Sequence, residues 1–168
     1  QLMQIANVVV NDLNIKELMT IVPVPDMPSM GGILNLDAYY IDQEENFLLE
    51  GTLDANRFVY EGATVGDFDS WFSYAPRGET VHAIDANLAF NGSEFLALDG
   101  VYDAEGEGRL DANLRLQDMP VSMLNPFIPD QLVGFQGTLS SDMTVAGPMD
   151  ALLFNGALMP KDMHLLSD

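Results

Sequence analysis

The strongest constraint on this chain is an alternation of apolar and polar residues with period two, which returns again and again along its 168 residues. Leu110, Ala112, Leu114 and Leu116 alternate with Asp111, Asn113, Arg115 and Gln117. Ile84, Ala86, Leu88 and Phe90 alternate with Asp85, Asn87 and Asn91, and Leu139, Met143 and Val145 with Thr138, Ser140, Asp142 and Thr144. After Phe47, the residues Leu49, Leu53, Ala55 and Val59 alternate with Glu50, Thr52, Asp54 and Asn56. A strand sends successive side chains to opposite faces, so each stretch describes a strand with one dry and one wet face. Helical spacing never persists for three turns. The chain is predicted to be all-β.

Turn residues punctuate the pattern at hairpin intervals: Glu61-Gly62, Asn91-Gly92, Asp99-Gly100, Glu105-Gly106-Glu107-Gly108, Gly147-Pro148 and Asn155-Gly156. Proline clusters at 23–28 and 120–129 cannot donate to a ladder, so they predict loops or single helical turns. The two clusters belong to an internal repeat. Leu13-Asn14-Ile15-Lys16-Glu17-Leu18 resembles Leu114-Arg115-Leu116-Gln117-Asp118-Met119, and Pro25-Asp26 and Pro129-Asp130 follow in turn. Gly32-Ile33-Leu34-Asn35-Leu36 then matches Gly137-Thr138-Leu139-Ser140-Ser141. The chain reads as one β-rich piece, 1–168, of a longer repeat protein, with the repeat at roughly 5–105 and 106–168. Repetition of this kind suggests a quasi-linear stack of strands. Its cut edges could pair between copies and form a dimer.

With 26 acidic against 6 basic residues the net charge is −20, which repels nucleic acid and disfavours a polybasic membrane contact. There is no cysteine, which removes disulfides, thiolate nucleophiles and Cys-based zinc sites. Apolar runs such as 7–10 and 21–24 are far shorter than a membrane-spanning helix. The chain starts at Gln1 with no basic leader, and is read as excised from a longer protein.

Catalytic chemistry finds little support. The two histidines, His82 and His164, are far apart, and His82 reads as a surface or edge residue. No nucleophile elbow, phosphate-binding glycine loop or zinc-binding helix occurs. The acid pairs Glu44/Glu45, Asp67/Asp69 and Glu105/Glu107 sit in turns or on wet faces, where carboxylates chiefly confer solubility. Asp103, Glu105 and Glu107 occupy positions 1, 3 and 5 of a calcium-loop pattern, but Leu114 stands where a bidentate Glu is required. That stretch is read as an acidic hairpin turn, and Asn91-Gly92-Ser93 as a turn rather than a glycosylation site. No catalytic residue, metal site or cofactor is expected.

What remains is apolar surface. The dry-face positions Leu49, Leu53, Val59, Ile84, Leu88, Phe90, Leu110, Leu114, Leu116, Leu139, Met143 and Val145 are the candidate lining of a groove or of a closed core. A second sheet would cover them and make a closed β-sandwich; a single curled sheet would leave a greasy trough. The alternative function is an extracytoplasmic sandwich module for sugars or peptides, using Trp71, Phe72 and Tyr74 with Asp67 and Asp69.

Val22-Pro23-Val24-Pro25-Asp26-Met27-Pro28-Ser29-Met30-Gly31-Gly32 resembles segments of the TamB translocation and assembly module family, within the AsmA-like group of Gram-negative envelopes. So does Leu124-Asn125-Pro126-Phe127-Ile128-Pro129-Asp130-Gln131-Leu132-Val133-Gly134-Phe135-Gln136-Gly137-Thr138-Leu139. Met143-Thr144-Val145-Ala146-Gly147-Pro148-Met149-Asp150 with Asn155-Gly156-Ala157-Leu158 looks like the family's recurrent strand unit, although Gly147 is followed directly by Pro148. The resemblance implies an elongated, curled, antiparallel-rich sheet (a β-taco) with a hydrophobic interior and one or two short helical turns. It implies a periplasmic location, with the full-length protein anchored in the inner membrane and an outer-membrane barrel as partner. The implied cargo is phospholipid acyl chains or the strands of outer-membrane client proteins.

Overall fold

The computed structural model describes residues 4–22, 25–127 and 134–165. These form nine strands in chain order: β1 (Ile5–Asn14), β2 (Met30–Gln43), β3 (Asn46–Tyr60), β4 (Ala63–Arg77), β5 (Val81–Phe90), β6 (Ser93–Asp103), β7 (Arg109–Pro120), β8 (Phe135–Pro148) and β9 (Leu153–Leu165). A short helix α1 (Ile15–Ile21) follows β1, and a 3-10 helix (Val121–Phe127) follows β7. Every strand pairs antiparallel with its neighbours in sequence, giving one sheet that does not close into a barrel. Strand accounts for 74% of the described residues. Among the described residues there is no second sheet to make a sandwich.

The turn chemistry is local. Glu61-Gly62 and Asn91-Gly92 have φ of 46° and 81°, and of 46° and 85°. Two consecutive left-handed residues make the tight turn whose twist suits a hairpin, which is why glycine stands second in each pair. Two of the sequence-predicted turns are not turns: Asp99-Gly100 lies inside β6 and Asn155-Gly156 inside β9. Gly147-Pro148 ends β8 and leads into its turn, where the Ala151 N–H donates to the Pro148 carbonyl at 2.9 Å. Conversely, Glu44-Glu45 joins β2 to β3 with no glycine at all. The predicted Pro129-Asp130 match of the repeat lies outside the described residues.

The sheet bends because of a line of bulges. Asp12, Arg57, Asp118 and Asp162 each sit at φ between 47° and 55° where the pairing register shifts, near the same end of β1, β3, β7 and β9. A bulge adds a residue to one strand, bends it and increases its twist. A side-chain oxygen on the neighbouring strand takes the displaced N–H: Asn35 Oδ1 from Asp12 (2.9 Å), Asp67 Oδ1 from Arg57 (2.7 Å) and Ser140 Oγ from Asp118 (2.9 Å). In β6 the extra residue is Phe95, between Leu96 opposite Leu88 and Glu94 opposite Ala89. Asp12 and Asp118 are 106 residues apart, and Arg57 and Asp162, Gly32 and Gly137, and Asn35 and Ser140 are each 105 apart. The same bent construction therefore occurs twice, each time with a short helix after its first strand.

Both helices lie at this bent end, over the apolar face. Asn14 caps α1 by accepting the N–H groups of Lys16 (3.0 Å) and Glu17 (3.3 Å). Asn125 ties the 3-10 helix to the start of β8, accepting the Phe135 N–H at 2.8 Å and donating to its carbonyl at 3.2 Å. Phe127 reaches back from the end of β7 to Tyr60 at the end of β3, with ring centroids 4.5 Å apart. Met119 and Met123 pack with Phe95 against Phe68, Leu88, Phe90 and Leu139, so residues from β4 to β8 meet over one curled face.

The fold leaves much of itself wet. Its accessible surface is 11357 Å², whereas a compact monomer of 18.4 kDa exposes about 8,200 Å² by the usual size scaling. Only eight apolar residues are buried among the described residues.

Candidate hydrophobic groove

Register fixes which side chains share a face, because directly paired residues point the same way. Reading across the sheet from the bent end, one row contains Leu34, Ala55, Phe68, Phe90, Met119, Leu139 and Pro160. The next is Leu36, Leu53, Ser70, Leu88, Leu96, Leu116, Ser141 and Leu158. Then come Ala38, Gly51, Phe72, Ala86, Leu98, Leu114, Met143 and Gly156. These three rows hold two hydroxyls and no charge. One of the hydroxyls, Ser141, is 1% exposed and donates to the Ala157 carbonyl at 2.7 Å. The face is not covered over its length: Leu53 and Ile84 stay 40% and 39% exposed, and Phe154 and Leu158 on β9 exceed 60%.

All the candidate groove residues except Val59 lie on this face. Val59 pairs with Gly31 and Thr64 on the opposite side. The left-handed bulge at Arg57 shifts the alternation by one residue. Phe58 and Tyr60 thereby face inward, Phe58 against Phe68 and Tyr60 against Phe127. Sequence reasoning missed Phe58, Tyr60, Phe95 and Met119 for one reason: each lies at or past a bulge. The only sequence signal is an Asp or Arg in mid-strand, which does not distinguish a bulge from a wet-face residue.

Under α1 the same face deepens into a cavity of about 400 Å³ lined by Ile15, Leu18, Met19, Val22, Met27, Met30, Leu34, Ala55 and Phe58. Its walls are almost wholly apolar. At the other end of the strands the face changes character. Rings of Tyr40, Phe47, Tyr74, His82 and Tyr102 run in line from β2 to β6, with successive centroids 5.1, 5.8, 5.8 and 6.1 Å apart. The Tyr74 hydroxyl is 2.6 Å from His82 Nδ1. His82 is thus half-buried in an aromatic row on the groove face, not a surface or edge residue.

The outer face is polar. A concavity of about 560 Å³ there, beside Asp99, Asn113, Thr144 and Asn155, contains the exposed Arg115–Asp142 ion pair at 3.1 Å. Asp54 and Asp69 stand directly opposite each other on this face. Partial burial and the facing Asp69 carboxyl raise the Asp54 pKa above its ordinary 3.8. At the β6–β7 turn, the Glu105 N–H donated to Asp103 Oδ1 at 3.0 Å, with the Thr80 side chain and His82, lowers the Asp103 pKa. No group of three metal-ligating side chains assembles among the described residues. The proposed sugar platform does not assemble either. Trp71, Asp67 and Asp69 lie on the outer face of β4, while Phe72 and Tyr74 lie on the groove face.

No helix among the described residues is long and apolar enough to cross a membrane. No protein-family model matches the chain, and neither the curated proteins nor the solved structures contain a significant match to it.

Proposed function

We propose that this chain is a non-enzymatic component of envelope biogenesis, a hydrophobic conduit that shields phospholipid acyl chains on their way between membranes. The observation that carries this reading is the uncovered apolar face, which runs from β2 to β9 without a charged side chain in its three inner rows. Each methylene withdrawn from water gains about 0.8 kcal/mol. Inner rows without charged hooks give that gain at successive positions, so a chain can slide along them. The resemblance to the TamB family supports a periplasmic setting, an inner-membrane anchor outside this piece, and an outer-membrane barrel as partner. The two open sheet edges, β1 and β9, suit the same face to client β-strands, which would add to an edge by main-chain pairing.

Native mass spectrometry with lipid extraction, on protein purified from a Gram-negative host, tests the conduit. Phospholipid is expected to co-purify with the native chain and to be lost from Leu114→Asp, with circular dichroism and the thermal melt showing that the variant keeps its sheet. A lipid-free protein that also excludes added fluorescent lipid would sink the proposal, as would unfolding of both Leu114→Asp and Leu88→Asp.

A further inference from the structure

The two long lips of the groove differ, and the difference bears on what kind of amphiphile it holds and which way round. At the bent lip, α1 and the 3-10 helix fold over the apolar rows, and Phe127 covers Tyr60. At the hairpin lip none of the described residues folds over, and the apolar rows end at the aromatic line. Tyr74, His82 and Tyr102 present apolar rings to the groove, with the Tyr74 hydroxyl held on His82 Nδ1, a mix of apolar ring and polar group that suits side chains at a boundary between hydrocarbon and water. Just beyond this line, the turns carry Glu44, Glu45, Glu79, Glu105, Glu107 and Asp150, against the guanidiniums of Arg77 and Arg109.

We infer that the groove takes a zwitterionic phospholipid with a terminal ammonium. Its acyl chains lie on the inner rows, its glycerol and phosphate are level with Tyr74 and His82, and its ammonium lies out among the turn carboxylates. This rests on the conduit reading and adds an orientation and a headgroup to it. Three observations select that occupant. The bent lip is overlaid by apolar side chains of the two short helices, which leaves the hairpin lip as the polar exit for a headgroup. The aromatic line lies one to three strand residues inside the turns, a depth that places hydroxyl and imidazole groups beside the phosphate. The rim beyond is strongly acidic, on a chain of net charge −20, so it attracts an outermost ammonium and repels a headgroup whose only charge is the phosphate.

The test is displacement of an acyl-labelled fluorescent phosphatidylcholine from the whole chain at 0.1 M salt. Dioctanoyl phosphatidylethanolamine is expected to compete about fivefold better than dioctanoyl phosphatidylglycerol, the effect of a few partly screened charge pairs. In the triple variant Glu44→Gln, Glu45→Gln, Glu79→Gln, whose changes lie in exposed turns, the ratio is expected to fall to within about twofold. Tyr74→Phe with His82→Phe keeps the rings and removes the polar tips, and is expected to weaken both competitors alike. Uptake of the probe with equal competition, or with the anionic lipid ahead, would overturn the headgroup assignment and leave the conduit standing. Failure to take up the probe at all would overturn both.

Discussion

Gly32 is where the bent lip is most sensitive to a single carbon. It has φ of 120°, and a Cβ built there would lie 2.9 Å from the carbonyl oxygens of Asn56 and Arg57 and 3.1 Å from Phe58 Cα. All three atoms are backbone on the bulged strand, so none can swing aside. Gly62 supplies the comparison, with φ of 81° in a hairpin turn and no atom within 4 Å of its Cβ position. Alanine at either site adopts a left-handed backbone at a cost of about 1–2 kcal/mol. At Gly32 the overlap adds about 1–3 kcal/mol, because packed backbone cannot relax freely. Gly32→Ala is therefore expected to lose ~2 kcal/mol more than Gly62→Ala. With a urea slope of ~2 kcal/mol per molar, its midpoint falls about 1 M further. Trp71 fluorescence and far-ultraviolet circular dichroism follow the same transition. The bulge repeats at Gly137, whose Cβ would lie 2.6 Å from the Asp162 carbonyl oxygen, so Gly137→Ala is expected to behave like Gly32→Ala. Equal midpoint shifts for Gly32→Ala and Gly62→Ala would refute the claim that this backbone contact shapes the lip.

Asp54 gives a pH dependence of defined sign. Its raised pKa means that the folded chain holds a proton the unfolded chain has released, so folding loses stability as pH rises from about 3.8 through the folded value. Asp54→Asn is expected to be more stable than the native chain at pH 7 by about 0.2–1 kcal/mol, as for relief of a like-charged cross-strand pair. The gain should vanish in melts at acid pH, and a gain that persists there would contradict the assignment. Asn125→Ala removes both hydrogen bonds to Phe135 and is expected to cost about 1–3 kcal/mol in chemical denaturation. Hydrogen exchange should show faster amides in the 3-10 helix than in β5. Asn14→Ala uncaps α1 and is expected to cost about 1 kcal/mol, with helical amides 16–18 losing protection while the sheet keeps its own.

Much of the fold was legible in local pattern. The alternation at 84–90 and 109–117 places residues on a face without reference to anything distant, and Asn91-Gly92 and Glu61-Gly62 encode their turns through their own backbone preferences. The glycine rule failed at Asp99-Gly100 and Asn155-Gly156. A glycine in mid-strand marks a close approach of the neighbouring strand as readily as a turn, and Gly100 faces Ala112, whose Cβ would be 2.8 Å from an added methyl. Val59 was misplaced because alternation carries across a strand only until a bulge, and the Arg57 bulge is stabilised by Asp67 on another strand. The groove residues Phe58 and Tyr60 depend on that partner.

By itself, then, the sequence determined an all-β chain with one apolar and one acidic or polar face, because period-two patterning acts within a strand. Only the tertiary structure decided that the apolar face stays open. Alternation is the same for a sandwich interior and a trough wall. What separates them is whether a second layer covers the face, and here the bulges and the two short helices curl a single sheet over itself instead.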